Sequence, residues 1–351
     1  MFENDTIRKI YEAIGDEISK KIFASRLLYS LTEDSSQLSW MTEDFRKEAE
    51  SNKKWLTLKN KILRMKEKPY LFGAGAYGRL LFEQTGGVKT WEGLIDNFPG
   101  DRESIWGVPL LMPERAVDAF GRNFVISSKA FLEEMRSQLS DLGIENEYII
   151  DGTAWYDATE GRQYFDLPYL ECGDREVFVD GGCCDGMTAA NFSNLVHGTY
   201  KKIYCFEPDH KNIQKIRRNF ASRGIERYEL IEMGLWDTRE ELAFAGNGSA
   251  DSHIVENAES DLKIKGIPLD DILNGKRVSF IKMDIEGAEK KGLKGAWNTI
   301  KTYKPKLAVC VYHRPEDIWE LPEMILRMCP DYRLYFRHYS CGSTETVLYA
   351  L

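Results

Sequence analysis

The chain has 351 residues, enough for two ordinary domains, and its 43% hydrophobic and 29% charged residues are those of a folded globular protein and exclude a disordered or fibrous one. A formal net charge of −9 argues against a nucleic-acid partner, which needs a basic face, and no stretch approaches the roughly 18 apolar residues of a membrane span. Seven scattered cysteines without a C-x-x-C pair offer neither a disulfide framework nor a zinc site; with no signal-like start, they predict a soluble protein of the reducing cytoplasm.

From Asp5 to about Met65 helix formers dominate, and Ile7, Ile10, Tyr11, Ile14, Ile18 and Ile22 recur at helical spacing. This helical lead-in, residues 1–66, presents a stripe that either packs on a following domain or forms a homo-oligomer contact. Pro69 ends it, and Tyr70-Leu71-Phe72 runs into Gly73-Ala74-Gly75-Ala76-Tyr77-Gly78 and a further helix, a strand, glycine turn and helix in succession. A second apolar segment ends in Asp96, near the spacing at which an acid meets a nucleotide ribose. Segments at Val108–Leu110, Pro113–Phe120, Phe124–Ile126, up to Leu142 and Tyr148–Ile150 continue the alternation. Residues 67–155 therefore read as a small Rossmann-like α/β domain, with Gly73, Gly75, Gly78 and Asp96 as a second nucleotide site.

Asp151 to Glu176 is polar and aromatic without period and reads as a crossing into a third segment, residues 156–351. Strands are expected at Glu176–Asp180, Lys202–Phe206, Tyr228–Met233, Val278–Met283, Lys306–Tyr312, Tyr332–Phe336 and Thr346–Tyr349, with helices at Thr188–Val196 and His210–Ser222. The last two strands are joined by a segment too short for a parallel crossover, so they pair antiparallel or lie apart. The result is a doubly wound seven-stranded sheet with an antiparallel last strand.

Four strand ends carry polar motifs. Asp180-Gly181-Gly182-Cys183-Cys184-Asp185-Gly186 joins an acid to a glycine turn, and Glu207 follows Gly186 at a ribose-binding distance. Trp236 offers a surface for an adenine ring or a core contact, and Asp284 and Glu286 precede another glycine turn. In open sheets of this kind ligands bind beyond the carboxyl ends of the strands, where these motifs converge.

Phe178-Val-Asp180-Gly-Gly182 with Gly186, Phe206-Glu207-Pro208, Lys282-Met-Asp284-Ile-Glu286-Gly287-Ala-Glu289 and Glu345-Thr-Val-Leu-Tyr-Ala350 together resemble the FkbM methyltransferase family, over about half the chain. The resemblance implies a class I methyltransferase fold and S-adenosylmethionine as donor. The activity it implies is O-methylation of a hydroxyl on a sugar, glycan or natural-product acceptor. Met187 departs from the polar residue frequent at that position in related sequences. Asp180, Gly182, Asp185, Gly186, Glu207 and Trp236 are then the expected cofactor contacts. A protonated hydroxyl is a poor nucleophile, so a base or a divalent metal ion is expected beside it. His313 is the candidate base, with Asp284 or Glu286 orienting it or holding the ion. Competing readings are an NAD-dependent oxidoreductase or sugar-nucleotide epimerase built on Gly73–Gly78, and a catalytically inactive scaffold.

Overall fold

The computed structural model describes residues 4–100, 102–117, 122–129, 131–154, 163–245, 253–254, 262–340 and 342–351. The chain divides into two units, residues 1–43 with 161–351, and residues 44–160.

The first unit is organised by a seven-stranded sheet: β1 (Val177–Gly181), β2 (Lys202–Phe206), β3 (Tyr228–Ile231), β4 (Phe280–Met283), β5 (Lys306–Cys310), β6 (Leu334–His338) and β7 (Thr346–Ala350). Its order is β3-β2-β1-β4-β5-β7-β6. Every neighbouring pair is parallel except those involving β7, which runs against both β5 and β6. The seven expected strands thus form one mostly parallel sheet, and its last two strands pair antiparallel. Because side chains alternate across a strand, Val177 and Val179 of β1 join one core with Ile281 and Met283 of β4, while Phe178 and Phe280 join the other. Both faces are therefore buried, which accounts for the nearly unbroken apolar runs.

Helix His210–Arg223 shows how the local sequence closes an element: Asp209 accepts from the Lys211 amide at 2.8 Å, Ile213, Ile216 and Phe220 are buried, and Gly224 ends the helix at φ +64°. A second sheet lies between β3 and β4 in sequence, formed by Gly234–Leu235, Glu240–Ala245, His253–Ile254 and Lys263–Ile267.

The lead-in is not one body. Helices Asn4–Ala13 and Glu17–Thr32 are separated by Gly15, where a Cβ would stand 2.5 Å from the Tyr335 ring, and Asp16 caps the second helix. Both helices belong to the first unit: Ile10, Ile14, Ile22 and Phe23 enter the core beside Leu334 and Phe336 of β6. Ser19 donates to Phe336 O and accepts from its amide, and Asp16 pairs with Arg337 at 2.8 Å. Tyr11 and Ile18 of the same stripe remain exposed. Helix Lys53–Leu63, still within the expected lead-in, belongs to the other unit.

That unit, residues 44–160, carries a parallel sheet in the order Val108–Leu111, Gly93–Ile95, Tyr70–Phe72, Phe124–Ile126, Ile149–Asp151, with the short strand Ser104–Ile105 antiparallel at one edge. The expected helix to Phe120 is present as Pro113–Ala116; residues 118–121 and the anticipated boundary at 155/156 lie outside the described residues. No helix among the described residues is long and apolar enough to cross a membrane.

The packing of Phe23 on Phe336, with ring centroids 5.4 Å apart, makes a specific claim about the N-terminal helices. Phe23→Ala should destabilise the first unit by about 3–5 kcal/mol in urea unfolding, the range for emptying a phenylalanine site. A loss below 1 kcal/mol would mean that the helix is not part of this core.

Candidate active site

At the sheet centre, Asp180 of β1 and Lys282 of β4 are direct cross-strand partners. Both are fully buried, with Lys282 Nζ 3.0 Å from Asp180 Oδ1. The ammonium also donates to the carbonyls of Gly181 and Gly182 at 3.1 and 2.6 Å. Burial raises the Asp180 carboxyl, and Lys282 partly offsets it. Burial works against the Lys282 ammonium, but Asp180 and Asp284 hold it above the usual lysine value. The site is an ion pair whose charges are kept by each other. Asp180 thus holds the sheet end together through this buried pair.

The glycine turn after β1 is shaped by the same crowding. A Cβ on Gly182, at φ +72°, would stand 1.8 Å from Asp284 O, and one on Gly186, at φ +81°, would stand 2.6 Å from Phe220. These glycines let β1, β4 and helix His210–Arg223 approach one another. Asp185 accepts from the Met187 amide at 3.0 Å at the start of helix Met187–Leu195. At the end of β2, Glu207 is buried and accepts from the amides of Cys184 and Asp209, both at 2.9 Å, so it clamps the glycine turn to the next helix. Burial pushes its carboxyl up to about 7 against those hydrogen bonds.

Trp236 is buried. It packs with Leu242, Phe244 and Ile264 of the second sheet, and its indole donates to Glu240 at 2.7 Å.

Beyond β4 and β5 the structure gathers a second polar group. His313 Nε2 stands 3.5 Å from both Asp284 Oδ1 and Glu286 Oε2, and its Nδ1 is 3.1 Å from Glu289 Oε1. Glu286 and Gly287 both adopt left-handed conformations, at φ +54° and +86°, and this tight turn follows directly on Asp284. The expected trio of Asp284, Glu286 and His313 is therefore assembled, but the imidazole is not a free base. Burial opposes its charge, yet Glu289, Glu286 and Asp284 push His313 up to about 11, leaving it protonated at neutral pH. Such surroundings favour the charged imidazolium.

Four further residues complete the group without having been assigned a role from sequence. Tyr164 donates to Asp284 Oδ2 at 2.8 Å; Tyr312 reaches Asp284 Oδ1 at 3.4 Å and Glu345 at 3.3 Å; Gln163 donates to Glu345 at 2.5 Å. Glu345 sits at φ +64°, and burial pushes its carboxyl up to about 7. Its place in the closing Glu345–Ala350 motif was a usable signal. Gln163 and Tyr164 lie in the aperiodic stretch before β1 and gave none.

In the other unit, Gly73, Gly75, Gly78 and Asp96 also meet at one turn. Asp96 accepts from the Ala74 amide at 3.2 Å, and a Cβ on Gly78 would stand 1.8 Å from Gly73 O. Ser127 donates to Gly73 O at 3.1 Å. The turn is thus closed by its own polar contacts, while Gly75 faces open space.

The seven-stranded sheet is mostly parallel with a single reversed strand, and polar groups gather beyond β1, β2 and β4. Residues 180–340 match the protein family described as the Methyltransferase FkbM domain, so this stretch is an FkbM methyltransferase domain. Among solved structures, similarity is found to a methyltransferase FkbM from Methylobacillus flagellatus KT, with 20% identity over 89% of this chain and 99% of that one at a TM-score of 0.49. An rRNA methylase from Streptococcus thermophilus aligns with 16% identity over 51% and 86% of the two chains, TM-score 0.33. Fibrillarin of Aeropyrum pernix, with natively bound S-adenosyl-L-methionine, aligns with 10% identity over 53% and 71%, TM-score 0.35. No curated protein sequence gives a significant match.

Two outcomes follow from the buried charges. Removing one member of a buried pair typically costs about 3–5 kcal/mol, so Lys282→Met should strongly destabilise the domain in urea unfolding. Asp180→Asn should also destabilise it, and either variant behaving like wild type would refute the pairing. For Glu207 the folded carboxyl is raised from about 4.5 to about 7. Its stabilising contribution is therefore full below pH 4.5 and lost as pH rises through 7. Glu207→Gln should flatten the fall in stability between pH 5 and 8, measured by urea midpoints across pH.

Proposed function

We propose that the first unit transfers the methyl group of S-adenosylmethionine to a hydroxyl oxygen of a sugar, glycan or natural-product acceptor. The observation that carries this reading is the position of the polar motifs at the switch in strand order between β1 and β4. At such a switch the connections leave the sheet in opposite directions, and ligands of open sheets bind outside the carboxyl ends of the strands. In this reading the Gly182–Gly186 turn and Glu207 meet the donor, and the Asp284, Glu286 and His313 group meets the acceptor. An acidic lining suits a donor that arrives as a sulfonium cation and departs neutral.

Methyl transfer leaves a neutral thioether, so the chain's task is alignment and activation of the acceptor oxygen. Asp284, held below the usual carboxylate range by Lys282 and His313 despite its burial, stays ionised and can accept a hydrogen bond from the acceptor hydroxyl. Tyr164 and Tyr312 fix its two oxygens. The donor atoms of Asp284, Glu286 and His313 lie within 4.8 Å of one another. Two carboxylates and an imidazole whose ring nitrogens are buried without a well-aligned hydrogen bond fit a divalent ion of the manganese, iron or zinc type. When bound, such an ion would supply Lewis-acid polarisation of the acceptor hydroxyl.

Calorimetry should show S-adenosylhomocysteine binding to the full chain. Binding of NAD with no binding of S-adenosylhomocysteine would instead support an oxidoreductase or epimerase centred on the Gly73–Gly78 turn. Manganese titration followed by electron paramagnetic resonance should show one site, weakened at least about tenfold in Glu286→Gln, by analogy with the effect of disturbing a ligand's surroundings. Equal binding in both proteins would remove the ion from the proposal.

A further inference from the structure

Arg26, on helix Glu17–Thr32, stands out among the charged groups of the first unit. It and Lys282 are the two buried basic residues among the described residues. Lys282 has Asp180 and two carbonyls. Arg26 has one hydrogen bond, from Nη1 to Ser343 O at 2.5 Å, and the face of Tyr29 at 5.3 Å. Its Nε is buried with no hydrogen-bond partner, and Asp317, the carboxylate that acts on the guanidinium, does so at longer range than an ion pair. A buried cation without a close counter-charge is unfavourable unless something supplies one. Burial draws the guanidinium down only to about 10, so it remains charged at neutral pH.

Its surroundings belong to the acceptor side. Ser343 lies in the connection between β6 and β7 that leads to Glu345, and Gly342 and Thr344 on either side of it are exposed. Tyr312 and Asp317 are near enough to act electrostatically on Arg26, and Tyr312 itself contacts Asp284 and Glu345. Arg26 also acts on His338, which burial and this charge keep neutral, so no second cation competes there. A guanidinium presents a planar fork of donors that matches a carboxylate or phosphate, and a single neutral carbonyl uses only part of it.

We propose that Arg26 binds an anionic group of the acceptor, a carboxylate or a phosphate, which takes over from the Ser343 carbonyl as its main partner. This deepens the methyl-transfer reading and rests on it: the acceptor would be an acidic hydroxylated molecule, gripped by its anion while its hydroxyl meets Asp284. The specificity determinant then comes from the N-terminal helices, outside the 180–340 family domain.

The test uses the full chain with S-adenosylhomocysteine and measures thermal midpoints in sodium phosphate, sodium acetate and sodium chloride at equal pH and ionic strength. Phosphate or acetate should raise the wild-type midpoint by about 2–4 °C over chloride, and the larger of the two shifts identifies the preferred anion. Arg26→Gln should lose that increment while its S-adenosylhomocysteine affinity stays within about twofold, so failure here is distinct from failure of the cofactor assignment. An equal increment in Arg26→Gln, or none in wild type, would make Arg26 a structural tie to the β6–β7 connection and overturn the proposal. Should Arg26→Gln not fold, Arg26→Lys keeps the charge without the fork: an increment cut to less than half supports the proposal, and an unchanged one overturns it.

Discussion

The pairing of Lys282 with Asp180 is the constraint on which the domain's working end depends. Parallel register sets the two residues opposite each other across β1 and β4, and both side chains point to the face that holds Phe178 and Phe280. A charge placed there needs an immediate partner, and each supplies the other's. Because the same ammonium binds the carbonyls of Gly181 and Gly182, the ion pair also fixes the start of the glycine turn. Glu207 then fastens the far side of that turn through the Cys184 amide. The glycine turn is therefore held by buried electrostatics, with glycines where the backbone approaches closely.

The acidic group beyond β4 and β5 illustrates how identity and role separate. Asp284, Glu286 and His313 converge as their positions at adjacent strand ends imply. Convergence also bears on the histidine's chemistry: three carboxylates around one imidazole favour its charged form. The same surroundings suit a bound cation, whether a proton or a metal.

The seven-stranded sheet was legible because each strand is a short apolar run ending in a polar or glycine-rich turn, and both signals are local. Helix His210–Arg223 was legible for the same reason, through Asp209 and Gly224. What escaped depends on long-range pairing. Lys282 was visible within an apolar strand, but its partner lies about a hundred residues earlier. The second sheet, in which Lys263–Ile267 pairs with Gly234–Leu235 and Glu240–Ala245, was not anticipated. Tyr164 and Gln163 reach the site from a stretch that lacks any period. Of the lead-in's isoleucine and tyrosine stripe, Ile7, Ile10, Tyr11, Ile18 and Ile22 lie in helices, while Ile14 bridges to Leu334 just before Gly15 breaks the stripe, and Tyr335 is what that glycine makes room for.

The division of the chain has a consequence for its synthesis. Residues 4–43 belong to a core whose β6 lies near the C-terminus, and the whole of the other unit intervenes. At ribosomal rates of roughly 5–20 residues per second, Phe23 emerges some tens of seconds before Phe336 exists to receive it. Residues 44–160 can meanwhile complete their own sheet, since all its strands are already translated. The N-terminal helices are left waiting with an apolar face uncovered, which makes them the natural clients of a nascent-chain chaperone and the last element to dock.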